Sequence, residues 1–143
     1  TKRANAYAKH LGVDMAICYK QRKVANQVDS MTVIGDVSGK NVILVDDMVD
    51  TAGTLTKAAG MMMEQGAISV RAMCTHAVLS GDACARIEAS ALTELIVTDT
   101  IPVDAEKLRN TSKVKQLSVA QLFADVIQRV RDHESISSHF IIA

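Results

Sequence analysis

Tryptophan is absent, and two Tyr and two Phe bring the aromatic share to only 3% of 143 residues. A basic excess is lacking as well, since 16 Lys and Arg stand against 16 Asp and Glu. Proteins that read nucleic acid carry a basic face and aromatic platforms for bases, so we expect no nucleic-acid partner. No apolar run approaches the roughly 18 residues of a membrane helix. Thr1, Lys2 and Arg3 open onto a polar segment rather than a secretory leader, so we expect neither membrane insertion nor export. Cysteine is scarce: Cys18, Cys74 and Cys84 are an odd number with no short-range pairing and no CxxC or Cys/His pattern, so we expect structural thiols rather than a metal site. Free thiols suit a reducing, cytoplasmic compartment. Repeats of 20–50 residues and low-complexity tracts are missing, which excludes a solenoid. An initiator Met is missing too, and we expect a partial chain.

What is present belongs to a globular domain: 48% apolar and 22% charged residues. Ala4, Ala8 and Leu11 share one face of a helix predicted over Thr1–Leu11, with Gly12 as its stop. Met15–Tyr19 is a continuous apolar run suited to a strand buried on both faces. Lys20–Met31 lacks periodicity and is expected to be a loop, with a brief strand at Thr32–Ile34. Asn41–Val45 is the strongest strand and should end at Asp46 and Asp47. A helix over Gly53–Gln65 follows, stopped by Gly66. Ile68–Cys74 and Glu94–Thr98 are predicted strands, Ser80–Glu88 a short helix, and Ser118–Arg131 an amphipathic helix with Leu122, Val126, Ile127 and Val130 on one side. This alternation predicts one α/β domain, an open parallel sheet flanked by helices.

The chemistry concentrates in Val42–Thr54, VILVDDMVDTAGT. A strand should deliver Asp46 and Asp47 at its C-terminal end, where ligands of open parallel sheets bind. The loop Asp50-Thr51-Ala52-Gly53-Thr54 then opens into a helix, whose first N–H groups are unpaired and partly positive, a ready cradle for phosphate. Gly53 permits close backbone approach, and Thr51 and Thr54 add hydroxyls. Carboxylates suit vicinal hydroxyls, so cradle and acids together point to a sugar phosphate. The plainer alternative is that Asp50 caps the helix and the Asp pair is merely solvated. Gly35–Lys40 has the outline of a P-loop, but one residue is missing between the glycines and a strand follows. We reject it.

VILVDDMVDTAGT resembles the phosphoribosyl-diphosphate signature of the type I phosphoribosyltransferase fold. Four other stretches extend the resemblance to the ribose-phosphate diphosphokinase family: KQRKVAN (Lys20–Asn26), CTHAVLSG (Cys74–Gly81), TDTIP (Thr98–Pro102) and ESISSHF (Glu134–Phe140). The whole chain, residues 1–143, resembles only the C-terminal half of that family, with residues 135–143 as a terminal tail. The resemblance implies transfer of diphosphate from ATP to the 1-hydroxyl of ribose 5-phosphate. It further implies that Asp46, Asp47 and Asp50–Thr54 bind ribose 5-phosphate and that Lys20 and Arg22 carry catalysis, Arg22 also approaching the sugar phosphate. Gln21 and Lys23 depart from the family pattern around them. Arg3 and His76 are implied on the nucleotide side, and Ser135, Ser137 and Phe140 in a regulatory tail. Mg²⁺ is the implied cofactor, with its ligands expected upstream and none within this chain, and a homo-oligomer, a hexamer in the family, is the implied assembly.

Alternatives stay open at this level. Lys20, Arg22 and Lys23 could form a solvated turn, His76 a satisfied histidine at a strand end, and the tail a docked terminus. Met61, Met62 and Met63 are expected to be helix packing. The activity has two rivals: a phosphoribosyltransferase that consumes phosphoribosyl diphosphate, and a non-catalytic synthetase-associated subunit.

Overall fold

A computed structural model describes residues 2–21, 30–109 and 111–140. The order is α1 (Lys2–Leu11), β1 (Ile17–Gln21), β2 (Ser30–Ile34), β3 (Asn41–Val49), α2 (Gly53–Glu64), β4 (Ser69–Ala77), α3 (Ala83–Glu88), β5 (Glu94–Thr98), α4 (Ala105–Arg109), β6 (Val114–Leu117) and α5 (Ala120–Arg131), then a 3₁₀ turn at Ser137–His139. These elements form two compact units, one holding residues 16–117 and the other the two ends of the chain, with α1 and α5.

The larger unit is built on a four-stranded parallel sheet in the order β3-β4-β5-β6. Its core lies on one face. Val70, Ala72 and Cys74 of β4 alternate inward and meet Leu95 and Val97 of β5, Leu55, Ala59 and Met62 of α2, and Ala83 and Ile87 of α3. Val70, Ala72, Leu95 and Val97 are fully buried, each larger side chain contributing about 1.5–3 kcal/mol. Ala58 and Ala59 are small enough to let α2 lie close to the strands. Met62 is the buried member of the Met triplet, while Met63 is 37% exposed.

Gly66 is required where it stands. Its φ is +88°, and the N–H of Ala67 returns to Met62 O at 3.0 Å, which closes the end of α2. A Cβ there would meet Ser38 Oγ at 3.1 Å, because the turn before β3 packs against this corner. In that turn Ser38 N–H bonds Asp36 Oδ1 at 3.0 Å and strand β3 follows, so no phosphate loop forms there.

Several expectations are corrected. β1 is not buried on both faces: it pairs antiparallel with β2 in a separate two-stranded sheet, and Tyr19 is exposed. The same ladder, with Lys20 opposite Met31 and Gln21 opposite Ser30, converts both ends of the predicted loop into strand. Residues 22–29 lie outside the described residues. On the central strands, Ile43, Val45 and Met73 are exposed and Arg71 pairs across the strands with Glu94 at 2.7 Å. α3 starts at Ala83 rather than Ser80, and α4 and β6 went unpredicted.

In the second unit, α1 and α5 keep the predicted amphipathic pattern. Leu122, Phe123, Ile127 and Val130 of α5 are nevertheless exposed. Among the described residues, no helix is long and apolar enough to cross a membrane.

Candidate functional site

The C-terminal ends of β3, β4 and β5 lie along one edge of the parallel sheet, and the loops leaving them are stitched together. Val49 O accepts from the N–H groups of Val78 (3.0 Å) and Leu79 (3.2 Å), and Asp50 O from Ser80 N–H at 3.2 Å. Arg86 of α3 donates to Thr51 O, and Lys107 of α4 donates to Leu79 O at 3.0 Å.

β3 does not stop at the acid pair. It continues through Asp46, opposite Cys74, to Met48 and Val49, opposite His76 and Ala77. Val49 is buried, and its apolar side chain carries the ladder past the two carboxylates. Asp46 and Asp47 therefore sit on the last turn-free stretch of strand, and the loop begins at Asp50. Asp46 Oδ1 accepts the N–H of Asp47 at 2.9 Å. Partial loss of hydration raises the Asp46 carboxyl above the usual carboxylate range. The Asp47 N–H draws it back down, and the Asp47 carboxylate adds repulsion. Burial pushes the neighbouring Cys74 thiol up to about 11, leaving it an inert, protonated group.

The loop reaches α2 through Ala52, which is buried and left-handed at φ 61°. No side chain caps α2, so Asp50 is not the helix cap that the plainer sequence reading allowed. Thr56 Oγ1 instead bonds Ala52 O at 3.0 Å and Gly53 O at 3.3 Å. A Cβ at Gly53 would find only Thr51 Oγ1, at 3.9 Å. Space at this helix start is thus open rather than filled by the fold, as a phosphate cradle needs.

His76 Nδ1 bonds Thr100 Oγ1 at 2.9 Å, and the hydroxyls of Thr98 and Thr100 both bond Thr75 O, at 2.7 and 3.0 Å. His76 is a partnered histidine at a strand end, beside the same edge as the loop. The edge thus brings together Asp46, Asp47, Asp50, Thr51, Ala52, Gly53, Thr54 and His76.

Other predicted residues are elsewhere. Lys20 is in β1, its side chain outside what the structure describes, and Arg22 lies outside the described residues. Arg3 is in α1 of the second unit, its side chain likewise undescribed. In that unit Ser135 Oγ and Ser137 Oγ are 2.8 Å apart, Arg129 holds Ser135 O at 3.3 Å, and Phe140 is exposed. Residues 141–143 of the tail lie outside the described residues. Sequence reasoning missed Arg86 and Lys107. Neither sits in a motif, and each reaches a carbonyl far along the chain, so no local pattern announces them.

The described residues do not form a protein cage for the Mg²⁺ that the resemblance implies. No three His, Cys, Asp or Glu side chains among them converge on one point. One carboxylate pair is less than a divalent cation's usual oxygen shell.

Comparison with known proteins gives the family and the fold. The family model described as "Phosphoribosyl synthetase-associated domain" matches residues 21–141. The ribose-phosphate pyrophosphokinase of Porphyromonas gingivalis is 56% identical over 138 residues, 96% of this chain and 43% of the relative. That of Campylobacter jejuni is 55% identical over 139 residues, 97% of this chain and 44% of the relative. The crystal structure of phosphoribosylpyrophosphate synthetase from Mycobacterium smegmatis superposes with a TM-score of 0.80 at 36% identity, over 93% of this chain and 43% of that one. The chain therefore spans less than half the length of these relatives, and its parallel α/β sheet is of the type I phosphoribosyltransferase kind. By its fold, its loop order and the match across most of its length, the chain belongs to the phosphoribosyl synthetase-associated domain family.

Proposed function

We propose that this chain is the C-terminal, ribose 5-phosphate-binding domain of a ribose-phosphate diphosphokinase. The observation that carries the reading is the uncapped start of α2, open over Gly53, beside the carboxylates of Asp46 and Asp47. Main-chain N–H groups of Thr51–Thr54 hold the 5-phosphate, and the acid pair accepts the ribose hydroxyls. The names of the relatives support a synthetase over the two rival activities.

In the reaction, the 1-hydroxyl oxygen of ribose 5-phosphate forms a bond to the β-phosphorus of ATP. The bridging bond between the α- and β-phosphoryl groups breaks, AMP leaves, and the hydroxyl proton is released. Charge gathers on phosphoryl oxygens, so positioning and cationic stabilisation dominate, and Lys20 and Arg22 supply positive charge from this chain. Arg3 and His76 serve the nucleotide side, and Ser135, Ser137 and Phe140 a regulatory tail. Mg²⁺ accompanies the nucleotide, its protein ligands coming from outside these residues. Assembly with further copies, a hexamer as in the family, completes the ATP site. The free Cys18, Cys74 and Cys84 support a cytoplasmic setting.

Calorimetry tests the site. Ribose 5-phosphate should bind the wild-type chain well above ribose, and Asp50→Ala and Gly53→Val should weaken it. Equal affinities for the two sugars, or unchanged binding in both variants, would remove the cradle. The chain alone should form no AMP from ATP and ribose 5-phosphate. Sustained turnover would show that its ATP site is complete.

A further inference from the structure

The loop Asp50–Ala52 is held from behind by the β4–α3 segment. Ser80 N–H takes Asp50 O at 3.2 Å, and the Arg86 guanidinium takes Thr51 O. In a trans peptide the N–H points opposite the C=O. Pinning carbonyls 50 and 51 toward α3 therefore turns the N–H groups of Thr51 and Ala52 to the other side of the loop.

Ala52 is the strained point. Its left-handed φ of 61° is a conformation that L-residues other than glycine adopt only at a cost. Alanine offers no side-chain hydrogen bond to offset that, and the peptide bond entering Ala52 is the one whose carbonyl Arg86 grips. The hold is charge-assisted, so it is among the stronger single hydrogen bonds available to a loop. Arg86 is itself exposed, and its bond to Thr51 O leaves further guanidinium N–H groups uncommitted to that carbonyl.

We propose that Arg86 is a positioning residue for the phosphate end of the sugar phosphate. By fixing the Thr51–Ala52 peptide it aims the loop N–H groups at the phosphate. This rests on the reading of Asp50–Thr54 as a phosphate cradle. Lys107 provides the matched control, because it makes the same kind of bond, cation to backbone carbonyl, to Leu79 in the adjoining loop. Leu79 is also left-handed, at φ 49°, so each anchor bonds a carbonyl in a loop that holds a left-handed residue.

The experiment titrates wild type, Arg86→Ala, Arg86→Lys and Lys107→Met with ribose 5-phosphate by calorimetry, with unfolding midpoints measured alongside. Arg86→Ala should weaken binding about tenfold to a hundredfold, the range of a lost charge-assisted hydrogen bond. Arg86→Lys, which keeps a charged donor, should recover most of that loss. Lys107→Met should stay within about threefold of wild type. Wild-type affinity in Arg86→Ala overturns the assignment. So does an equal loss in Lys107→Met, which would mean general loosening of the edge, or no recovery with lysine. Failure of the wild-type chain to bind at all is a distinct result: it removes the cradle, and the role of Arg86 with it.

Discussion

Two carboxylates of the sheet unit sit in opposite surroundings, one beside the segment leading into β6 and one near the C-terminal ends of the parallel strands. Glu88, ending α3, is saturated with donors. Its Oε2 accepts Thr111 Oγ1 and Ser112 N–H, both at 3.0 Å, and Lys113 N–H at 3.3 Å, while Oε1 accepts Ser112 Oγ at 2.5 Å. Those bonds, the Ser112 hydroxyl first, lower its carboxyl from the ordinary 4.5 to about 2. Asp46 has the N–H of Asp47 and a carboxylate neighbour, and its carboxyl is raised by lost hydration. The first group serves the fold, clasping the segment that leads into β6. The second is kept by the fold at some cost, with acceptor capacity left over, which is the arrangement expected of a group held for a ligand.

The sharpest way to break this contrast is at Gly53, where the start of α2 is open and the fold asks for little. Its φ lies outside the left-handed region, and a new Cβ would meet nothing closer than 3.9 Å. Gly53→Val should therefore fold with an almost unchanged midpoint, yet fill the space over Thr51. Loss of ribose 5-phosphate affinity should be about a hundredfold or more, since several charge-assisted bonds go together. A stable variant with wild-type affinity would mean that the open start of α2 holds no phosphate.

The clasp is tested by pH. A carboxyl with a depressed folded value binds fewer protons in the native state, so its stabilising effect is complete above about 4.5 and fades as pH falls toward 2. Glu88→Gln should lower the unfolding midpoint at pH 7. The gap to wild type should shrink through that window and close near pH 2. A gap that does not change with pH would assign the loss to packing rather than to charge.

The contrast also explains what was legible in the sequence. Asn41–Val45 could be recognised as strand because continuous β-branched and aliphatic residues suit little else, and Gly66 marked the end of α2 because a positive φ favours glycine. The acid pair, the small-residue loop and the helix after it were readable as a unit because they are contiguous. Asp46–Val49 was not readable as strand, since two acids break the pattern and only the ladder to His76 and Ala77 carries it on. The strained residue was invisible too: beside Gly53, nothing local singles out Ala52 for a left-handed turn, which is held instead by Arg86, 35 residues from Thr51. The Glu88 clasp and β6 were missed for the same reason, because Val114-Lys115-Gln116-Leu117 has no clean alternation and its anchor is far away in the chain.

The smallest expected effect is the most pointed. Asp46 has a raised folded value, so between the ordinary 3.8 and that value the native state binds more protons than the unfolded chain, and stability falls as pH rises through the interval. Removing the charge with Asp46→Asn should then raise the midpoint slightly at pH 7, an effect held small by the exposure of the group. At pH below about 3.8 the gain should vanish, because the wild-type carboxyl is then neutral as well. The same substitution exchanges a full acceptor for an amide and should weaken ribose 5-phosphate binding, so stability and affinity should move in opposite directions at one residue. Asp46→Asn that destabilises the chain at pH 7 would place Asp46 with Glu88 among the groups that serve the fold, and the distinction between the two carboxylates would be lost.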